Sequence, residues 1–517
     1  MINQEQDLSV EMDANLETTE FKFLDSLDID NLVKSKLTRQ LTSTIKGSDD
    51  VLMTPMAKDH GPDRLLSEWN KIYEANEYKL NSVLKDLELS NKAKIGPRSI
   101  AKPWSQRREG VLRMFDKEYV IGDPLGNRVL ASASSNLRPV SLQAAINSLK
   151  NNTNSGLPYL TKKGVIKHRI YDNFESLIER SDPCVLFTRT QELGKTRTVW
   201  GYPVADTTHE LQFYLPFLGV SKRQDGFSAI NGPEAINSAV SKLIDLVIRS
   251  INLLLMSSDF EAYDESLKSY AQGKSFDVVK RLFQPQYADQ IDEIAHRFNT
   301  IGLITPEGVM TGKHSLPSGS GWTNAIGSQN QVNLIKSSGC VIPSWEVQGD
   351  DGVYAIDSSD IEKFTQHVKL CGFKINETKS YISKNYAIYL QNLFHDDYRV
   401  DGIVRGIYPI YRALNRLMYQ ERWSTFEDFE ISGKDYYSIR TICIVENCKY
   451  HPLFKQFVKF VHSMDKYSLD VSDQGIRKYV QMLSKTQGAG EILNHQYGDN
   501  VSGIRSFETF KMIKELG

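Results

Sequence analysis

Trp345-Glu346-Val347-Gln348-Gly349-Asp350-Asp351-Gly352-Val353-Tyr354-Ala355-Ile356 is the stretch on which the reading of this chain turns. Two short runs of apolar and aromatic residues flank a Gly-Asp-Asp-Gly turn. That pattern predicts a tight hairpin with adjacent carboxylates at its tip. A second acidic group lies upstream, in Leu253-Leu254-Leu255-Met256-Ser257-Ser258-Asp259-Phe260-Glu261-Ala262-Tyr263-Asp264. Its apolar run, Asn252 to Ser258, reads as a buried strand that delivers Asp259 to its exit, with Asp264 following after a short turn into a helix. If the two strands are neighbours, Asp259 and Asp350 converge and Asp351 adds charge. Hard oxygen ligands of this kind suit Mg²⁺, which keeps several waters and also binds substrate phosphates. Two such ions about 3.5–4 Å apart stabilise both oxygens of an in-line phosphoryl displacement. Taken alone, a Gly-Asp-Asp turn is a common hairpin tip and an Asp at a helix start is a routine cap. The company these residues keep, in a fixed order, changes the odds.

Between the two acidic sites stands Leu316-Pro317-Ser318-Gly319-Ser320-Gly321-Trp322-Thr323-Asn324, followed by Gly327-Ser328-Gln329-Asn330-Gln331. A Gly/Ser loop opening a helix exposes N–H groups and hydroxyls suited to nucleotide sugar and phosphate. It is not a Walker loop. Gly194-Lys195-Thr196 and Gly273-Lys274-Ser275 both lack the glycine five residues earlier. Upstream, Thr188-Arg189 and Gly194-Lys195-Thr196-Arg197 bracket a turn. On a strand Lys195 and Arg197 share one face, to which Arg189 can return, and three cations there would neutralise a triphosphate and its released pyrophosphate. Downstream, Lys379 is a candidate general acid for that leaving group, although a single lysine is usually just surface. Arg399, Arg405, Arg412, Arg416 and Arg422 interleave with Tyr408, Tyr411, Tyr419 and Trp423, a pattern that serves either a nucleic-acid track or a core.

The rest of the chain sets bounds. Its 517 residues are 40% hydrophobic and 24% charged, which excludes collagen-like, low-complexity and wholly disordered classes and suggests about three or four domains or subdomains. The net charge of -2 hides an acidic leader: nine acids and one base in residues 1–31 give -8 there and +6 in the remainder. The leader is expected to be mobile or partly helical, with Phe21, Phe23 and Leu24 docking on the body. No run is long and apolar enough for a membrane span, and the N-terminus lacks the basic and apolar blocks of a signal peptide. Five scattered cysteines read as free thiols, and Cys443 and Cys448, with His451 nearby, lack a second pair to make a metal site. Helices are expected at 62–95, 233–250, 265–283 and 286–299, strands at Cys184–Thr190 and Thr196–Trp200, and mostly helix beyond about 400. Strands and helices mix without strict alternation, so the fold class is α+β.

In this order the elements resemble viral RNA-dependent RNA polymerases across residues 150–395. Ser155-Gly156-Leu157-Pro158 resembles the motif at the template entrance, G, and Arg189 to Arg197 resembles motif F. Asp259 to Asp264 resembles motif A, Ser318-Gly319 to Thr323 motif B and Gly349-Asp350-Asp351 motif C. Lys379 falls at the motif D lysine, and Tyr389-Leu390-Gln391-Asn392 sits where the motif E hairpin is expected. The Thr188 to Arg197 stretch and Pro317-Ser318-Gly319-Ser320-Gly321 look most like polymerases of bisegmented double-stranded RNA viruses, picobirnaviruses ahead of partitiviruses.

The resemblance implies a closed right hand: an acidic N-terminal segment (1–60), fingers (61–205), a palm of antiparallel sheet and flanking helices with inserted fingers segments (206–399), and a helical thumb with a C-terminal tail (400–517). It implies an RNA-directed RNA polymerase that replicates and transcribes a double-stranded RNA genome by two-metal transfer from NTPs. The metal would be Mg²⁺, with Mn²⁺ as an alternative, held by Asp259 and Asp350 with Asp351 assisting. Lys379 would be catalytic. Arg189, Lys195, Arg197, Asp264, Ser318, Gly319, Thr323 and Asn324 would serve the nucleotide, Asp264 reading the ribose 2′-OH. Ser155, Gly156 and Pro158 would meet the template. RNA template, nascent RNA, NTPs and a capsid protein would be the partners, with no membrane, in the virion interior and the host-cell cytoplasm.

One position departs from the pattern. Many positive-strand relatives carry an asparagine four residues after the motif B threonine, where this chain has Gly327. Either Asn324 or Asn330 substitutes, or Asp264 and Ser318 carry more of the selection. A reverse transcriptase is the nearest rival, disfavoured because Asp264 sits where those enzymes carry a bulky residue. A non-catalytic RNA-binding or capsid-associated protein with a degenerate palm is the rival from another class. The tail after Ser484, with Gly488-Ala489-Gly490, is either a plug for the active-site cavity or a free end.

Overall fold

The computed structural model describes residues 21–118, 120–126, 136–487 and 501–516. The leader before Phe21 and the Gly488-Ala489-Gly490 segment lie outside the described residues. Within them, the strands are β1 (Cys184–Thr190), β2 (Thr196–Gly201), β3 (Leu253–Ser258), β4 (Leu303–Thr305), β5 (Gly308–Met310), β6 (Ser344–Gln348), β7 (Asp351–Asp357), β8 (Tyr381–Ser383), β9 (Tyr386–Tyr389), β10 (Asn392–Val400) and β11 (Ile403–Ile407). They form three sheets, ordered β2-β1-β4-β5, β6-β7-β3-β8 and β11-β10-β9. The second is antiparallel throughout and is the palm.

The apolar run of β3 is explained by burial on both faces. Leu253 and Leu255 pack with Val353, Ala355 and Val240, Leu243, Ile244 and Val247 of the helix Pro233–Arg249. Met256, on the other face, joins Tyr354, Ile356, Ile326, Leu334, Phe364 and Val368 in the largest core, under the helices Thr323–Ser337 and Ile361–Leu370. Each fully buried side chain of this kind stabilises the fold by about 1.5–3 kcal/mol. Alternation is absent because neither face meets water.

Two expected helices are divided. The 62–95 span breaks into Pro62–Asn76 and Ser82–Lys92, because Asn81 caps a new helix by accepting from Leu84 N at 2.9 Å. The 265–283 span begins only at Ser269, after a separate turn at Tyr263–Ser266. The helices Pro233–Arg249 and Ala288–Thr300 and strands β1 and β2 fall within about a residue or two of expectation.

The hand is closed by contacts distant in sequence. Met56, Leu65, Trp69 and Tyr73, from the N-terminal helices, share a core with Leu417, Phe457 and Phe460 of the thumb. The Trp69 ring stands edge-on to Phe457 at 5.1 Å. Arg98 bridges the fingers turn and the thumb segment, 3.3 Å from Glu192 and 2.5 Å from Glu421. Phe21 and Leu24 dock as expected, buried with Leu157, Val185 and Ile304. Among the described residues, no helix is long and apolar enough to cross a membrane, and the five cysteines are free thiols.

Candidate active site

The register of β3 against β7 sets Ser258 opposite Gly352, so the next pair outward is Asp259 and Asp351. Gly349, at φ +62, turns the hairpin and leaves Asp350 exposed at its tip. The helix Thr323–Ser337 grips this hairpin. Gln331 Nε2 donates to the carbonyls of Gly349 (2.6 Å) and Asp351 (3.1 Å), and Gly349 N donates to Ser328 Oγ at 2.8 Å. A Cβ at residue 352 would collide with Gln331 Oε1 and the Tyr354 hydroxyl, which is why glycine follows the paired aspartates. On the other side, Asp259 N donates to Ser380 Oγ at 3.1 Å, and Asp259 O accepts from Asn376 N at 2.7 Å. The loop that carries Lys379 thereby holds the main chain of Asp259.

The carboxylates repel one another. Burial, and then Asp350 and Asp259, push Asp351 up to about 7. Asp259 is raised mainly by burial, with Asp350 adding and Lys379, 3.9 Å away at Oδ2, opposing. Among the described residues no three carboxylate, imidazole or thiol groups form a closed metal cage. Mg²⁺ ordinarily binds through one or two carboxylates plus substrate phosphates. The open pair of Asp259 and Asp350, with Asp351 crowded beside them, fits such an ion.

Asp264 lies in the same field. Burial raises its pKa, while the Ser318 hydroxyl, donating to Oδ2 at 2.7 Å, opposes the rise. The two asparagines offered as substitutes for Gly327 part company. Asn330 is 0% exposed and donates to the Tyr263 hydroxyl at 3.0 Å, which itself donates to Gly327 O at 2.7 Å, so it is a core residue. Asn324 is exposed beside the hairpin, its Nδ2 next to Gly349. Thr323 works inward, donating from Oγ1 to Pro317 O (2.9 Å) and Ser320 O (3.0 Å). Gly319, at φ +152, lies against the Trp200 carbonyl so closely that any Cβ would strike it.

Of the expected phosphate cations, Lys195 and Arg197 face the aspartates. Lys195 feels Asp350 and Asp259, and Arg197 feels Asp351 and Asp264. Arg189 pairs with Arg197 in backbone register, but its side chain turns to Glu421 at 3.7 Å. Ser155 and Gly156 are buried, and the Ser155 hydroxyl accepts from Thr161 N at 3.2 Å. Pro158 is the half-buried member of that trio. The Leu390-Gln391 turn, with both φ values positive, makes the expected hairpin between β9 and β10. Tyr408, Tyr411 and Tyr419 are core, whereas Trp423 is exposed under Lys58 at 5.2 Å.

Sequence reasoning missed three residues around the cleft. Lys94 stands within electrostatic reach of Asp259, Arg412 and Lys379. Arg412, read before only as part of a thumb track, bonds Gln391 Oε1 at 3.0 Å and faces Asp351. Glu210, buried on the helix Val204–Ser221, accepts from Ser320 Oγ (2.6 Å) and Gly321 N (2.8 Å). A buried acid in an apolar helix was the available signal for the last.

Comparison with known proteins agrees with this geometry. The family described as "Viral RNA-dependent RNA polymerase" matches residues 112–422. A "Potential RNA-dependent RNA polymerase" of Human picobirnavirus (strain Human/Thailand/Hy005102/-) is 28% identical over 477 residues, covering 86% of this chain and 88% of that protein. The crystal structure of the RNA-dependent RNA polymerase of a human picobirnavirus superposes with a TM-score of 0.77 at 24% identity, over 95% of this chain and 100% of that one. Its insertion-loop deletion mutant gives 0.79 at 24% identity, over 96% and 100%. The two structures share the right-hand fold. With the palm aspartates, the loop before the helix Thr323–Ser337 and the cation hairpin all inside or beside the matched span, this chain belongs to the viral RNA-dependent RNA polymerases.

Proposed function

We propose that this polymerase copies and transcribes a double-stranded RNA genome from NTPs by two-metal nucleotidyl transfer. The observation that carries the reading is the convergence of Asp259, just past the end of β3, with Asp350 and Asp351 at the β6–β7 turn, within electrostatic reach of Lys195 and Arg197. A 3′-hydroxyl attacks the α-phosphorus of the NTP; the new O–P bond forms as the bond to the β-phosphate oxygen breaks, and pyrophosphate departs. Asp259 and Asp350, assisted by Asp351, would hold two Mg²⁺ (or Mn²⁺) ions, which when bound lower the pKa of the attacking hydroxyl and offset charge on the leaving oxygen.

The chain's own residues do the rest. Lys195 and Arg197 neutralise the triphosphate, and Arg189 joins them if it leaves Glu421. Asp264 and Ser318 read the ribose 2′-OH, with Asn324 rather than Asn330 beside them, and Gly319 and Thr323 shape that loop. Lys379 is exposed and close to Asp259, placed to protonate departing pyrophosphate. The Ser155-Gly156 turn presents Pro158 towards a template. RNA, NTPs and a capsid protein are the proposed partners, in the virion interior and host cytoplasm.

The test is incorporation of labelled NTPs on an unprimed single-stranded RNA with a defined 3′ end, in Mg²⁺, with dNTPs in parallel. Templated NTP addition supports the reading. A preference for dNTPs, or RNA binding without turnover, overturns it.

A further inference from the structure

The loop that precedes the helix Thr323–Ser337 is held at both its tip and its foot. At its tip, Ser318 reaches Asp264, and its carbonyl accepts from Trp200 N at 2.8 Å. At its foot, both carboxylate oxygens of Glu210 are engaged: Oε1 by Ser320 Oγ and Oε2 by Gly321 N. Ser320 Oγ also accepts from Trp322 N at 3.0 Å, so one hydroxyl links Glu210 to the start of the helix. Glu210 is only 4% exposed and touches neither Asp259, Asp350 nor the cations around them in any hydrogen bond or ion pair described.

An acid so deeply placed is costly unless its bonds matter. The groups around it do not form a simple ion pair. Lys163, from the helix Lys163–Glu179, attracts it; Asp206, one turn earlier on its own helix, repels it and is itself paired with Arg297 at 2.7 Å. Tyr202 and Cys184 complete the titratable surroundings. What remains specific to Glu210 is the loop foot. Replacing it by a hydrophobic residue would leave a buried hydroxyl and a partly buried N–H without this acceptor.

We propose that Glu210 is a positioning residue for nucleotide selection: by pinning Ser320 and Gly321 it fixes the loop so that Ser318 is delivered to Asp264. The inference rests on the reading of Asp264 and Ser318 as the ribose sensor. It adds a residue on a different element, buried behind the loop, that never meets the nucleotide. A glutamine can replace it, since Oε1 accepts from Gly321 N while Nε2 donates to Ser320 Oγ. An alanine cannot.

The test is a double-mutant cycle on the ratio of kcat/KM for NTP over dNTP, using the full chain and the variants Glu210→Ala, Glu210→Gln, Ser320→Ala, Ser318→Ala and Glu210→Ala/Ser318→Ala. The expected result is a drop of about tenfold in the ratio for Glu210→Ala, a smaller drop for Ser320→Ala, near-parent discrimination for Glu210→Gln, and a double variant no worse than Ser318→Ala alone. If Glu210→Ala fails to fold, Ser320→Ala carries the same comparison from the loop side. A lowered melting temperature with an unchanged ratio, or fully additive losses, overturns the proposal. If Ser318→Ala leaves the ratio intact while Glu210→Ala lowers it, the Ser318 reading fails and takes with it the delivery of Ser318, although Glu210 still bears on selection. If Ser318→Ala lowers it and neither Glu210→Ala nor Ser320→Ala does, the pinning role fails alone.

Discussion

Ser318 Oγ donates a 2.7 Å hydrogen bond to Asp264 Oδ2, joining the loop before one palm helix to the turn after β3. The bond links two stretches that sequence order keeps well apart, and it does so at a partly buried carboxylate. Burial alone would push Asp264 towards its neutral form, and the Ser318 hydroxyl restrains that shift.

Removing this donor should relax sugar selection. A hydrogen bond to a charged group is worth about 1.5–3 kcal/mol, so Ser318→Ala is expected to lower NTP-over-dNTP discrimination by roughly 10- to 100-fold. Asn324→Ala should move the same ratio less, and Asn330→Ala should change thermal stability instead, because its amide serves Tyr263. Competition assays at fixed RNA template measure all three. An unchanged ratio in Ser318→Ala would remove it from the sensor.

Crowded carboxylates make a second, metal-linked prediction. Without divalent ions Asp351 is held near 7 by burial and by Asp350 and Asp259, so Asp350→Asn should raise the melting temperature in EDTA by relieving like-charge repulsion. The parent should gain stability on adding Mg²⁺, and the variant should gain much less. Melting curves with and without Mg²⁺ decide it; an equal Mg²⁺ response in both proteins would place the ion elsewhere.

Glu210 predicts an unusual pH dependence. Burial raises its carboxyl from 4.5 to about 8 in the folded chain. Between those values the folded state binds more protons than the unfolded state, so stability falls as pH rises through that window. The slope from this one group is at most about 1.4 kcal/mol per pH unit. Glu210→Gln, which keeps the neutral form's bonds, should flatten that part of the profile. Urea unfolding at several pH values from 5 to 8 checks it, and parallel profiles for parent and variant would contradict it.

How much of this was legible in the sequence depends on the range of each interaction. The buried β3 and the Gly-Asp-Asp hairpin are local: an apolar run and glycine punctuation specify them, and their register follows. The choice between Asn324 and Asn330 was not legible, because it depends on how the helix Thr323–Ser337 is rotated against the hairpin, which packing of Ile326 and Leu334 decides. Arg189 shares the expected strand face, yet Glu421, far along the chain, takes its side chain. The chain at Gly156 lies against the Tyr202 carbonyl with no room for a Cβ, and Ser155, Gly156 and Leu157 are buried there while Pro158 stays half-buried. Glu210 finds its partner 110 residues away; no periodicity or motif reports such a contact.

Closure of the hand supplies a fourth prediction. Arg98 is largely buried between Glu192 and Glu421. Breaking a buried pair costs about 3–5 kcal/mol, and partial exposure of Glu421 reduces this, so Glu421→Gln should destabilise by about 1–2 kcal/mol. It should also speed hydrogen exchange in the turn around Glu192. Unchanged exchange there would show that the fingers are held by other contacts.

The most direct test of the central claim is single-nucleotide addition from NTPs on an RNA template in Mg²⁺ by the parent, Asp259→Asn and Asp350→Asn, each shown to be folded. Templated addition by the parent and a loss on the order of 10³-fold or more in both variants are expected. Near-parent addition by either folded variant would contradict it.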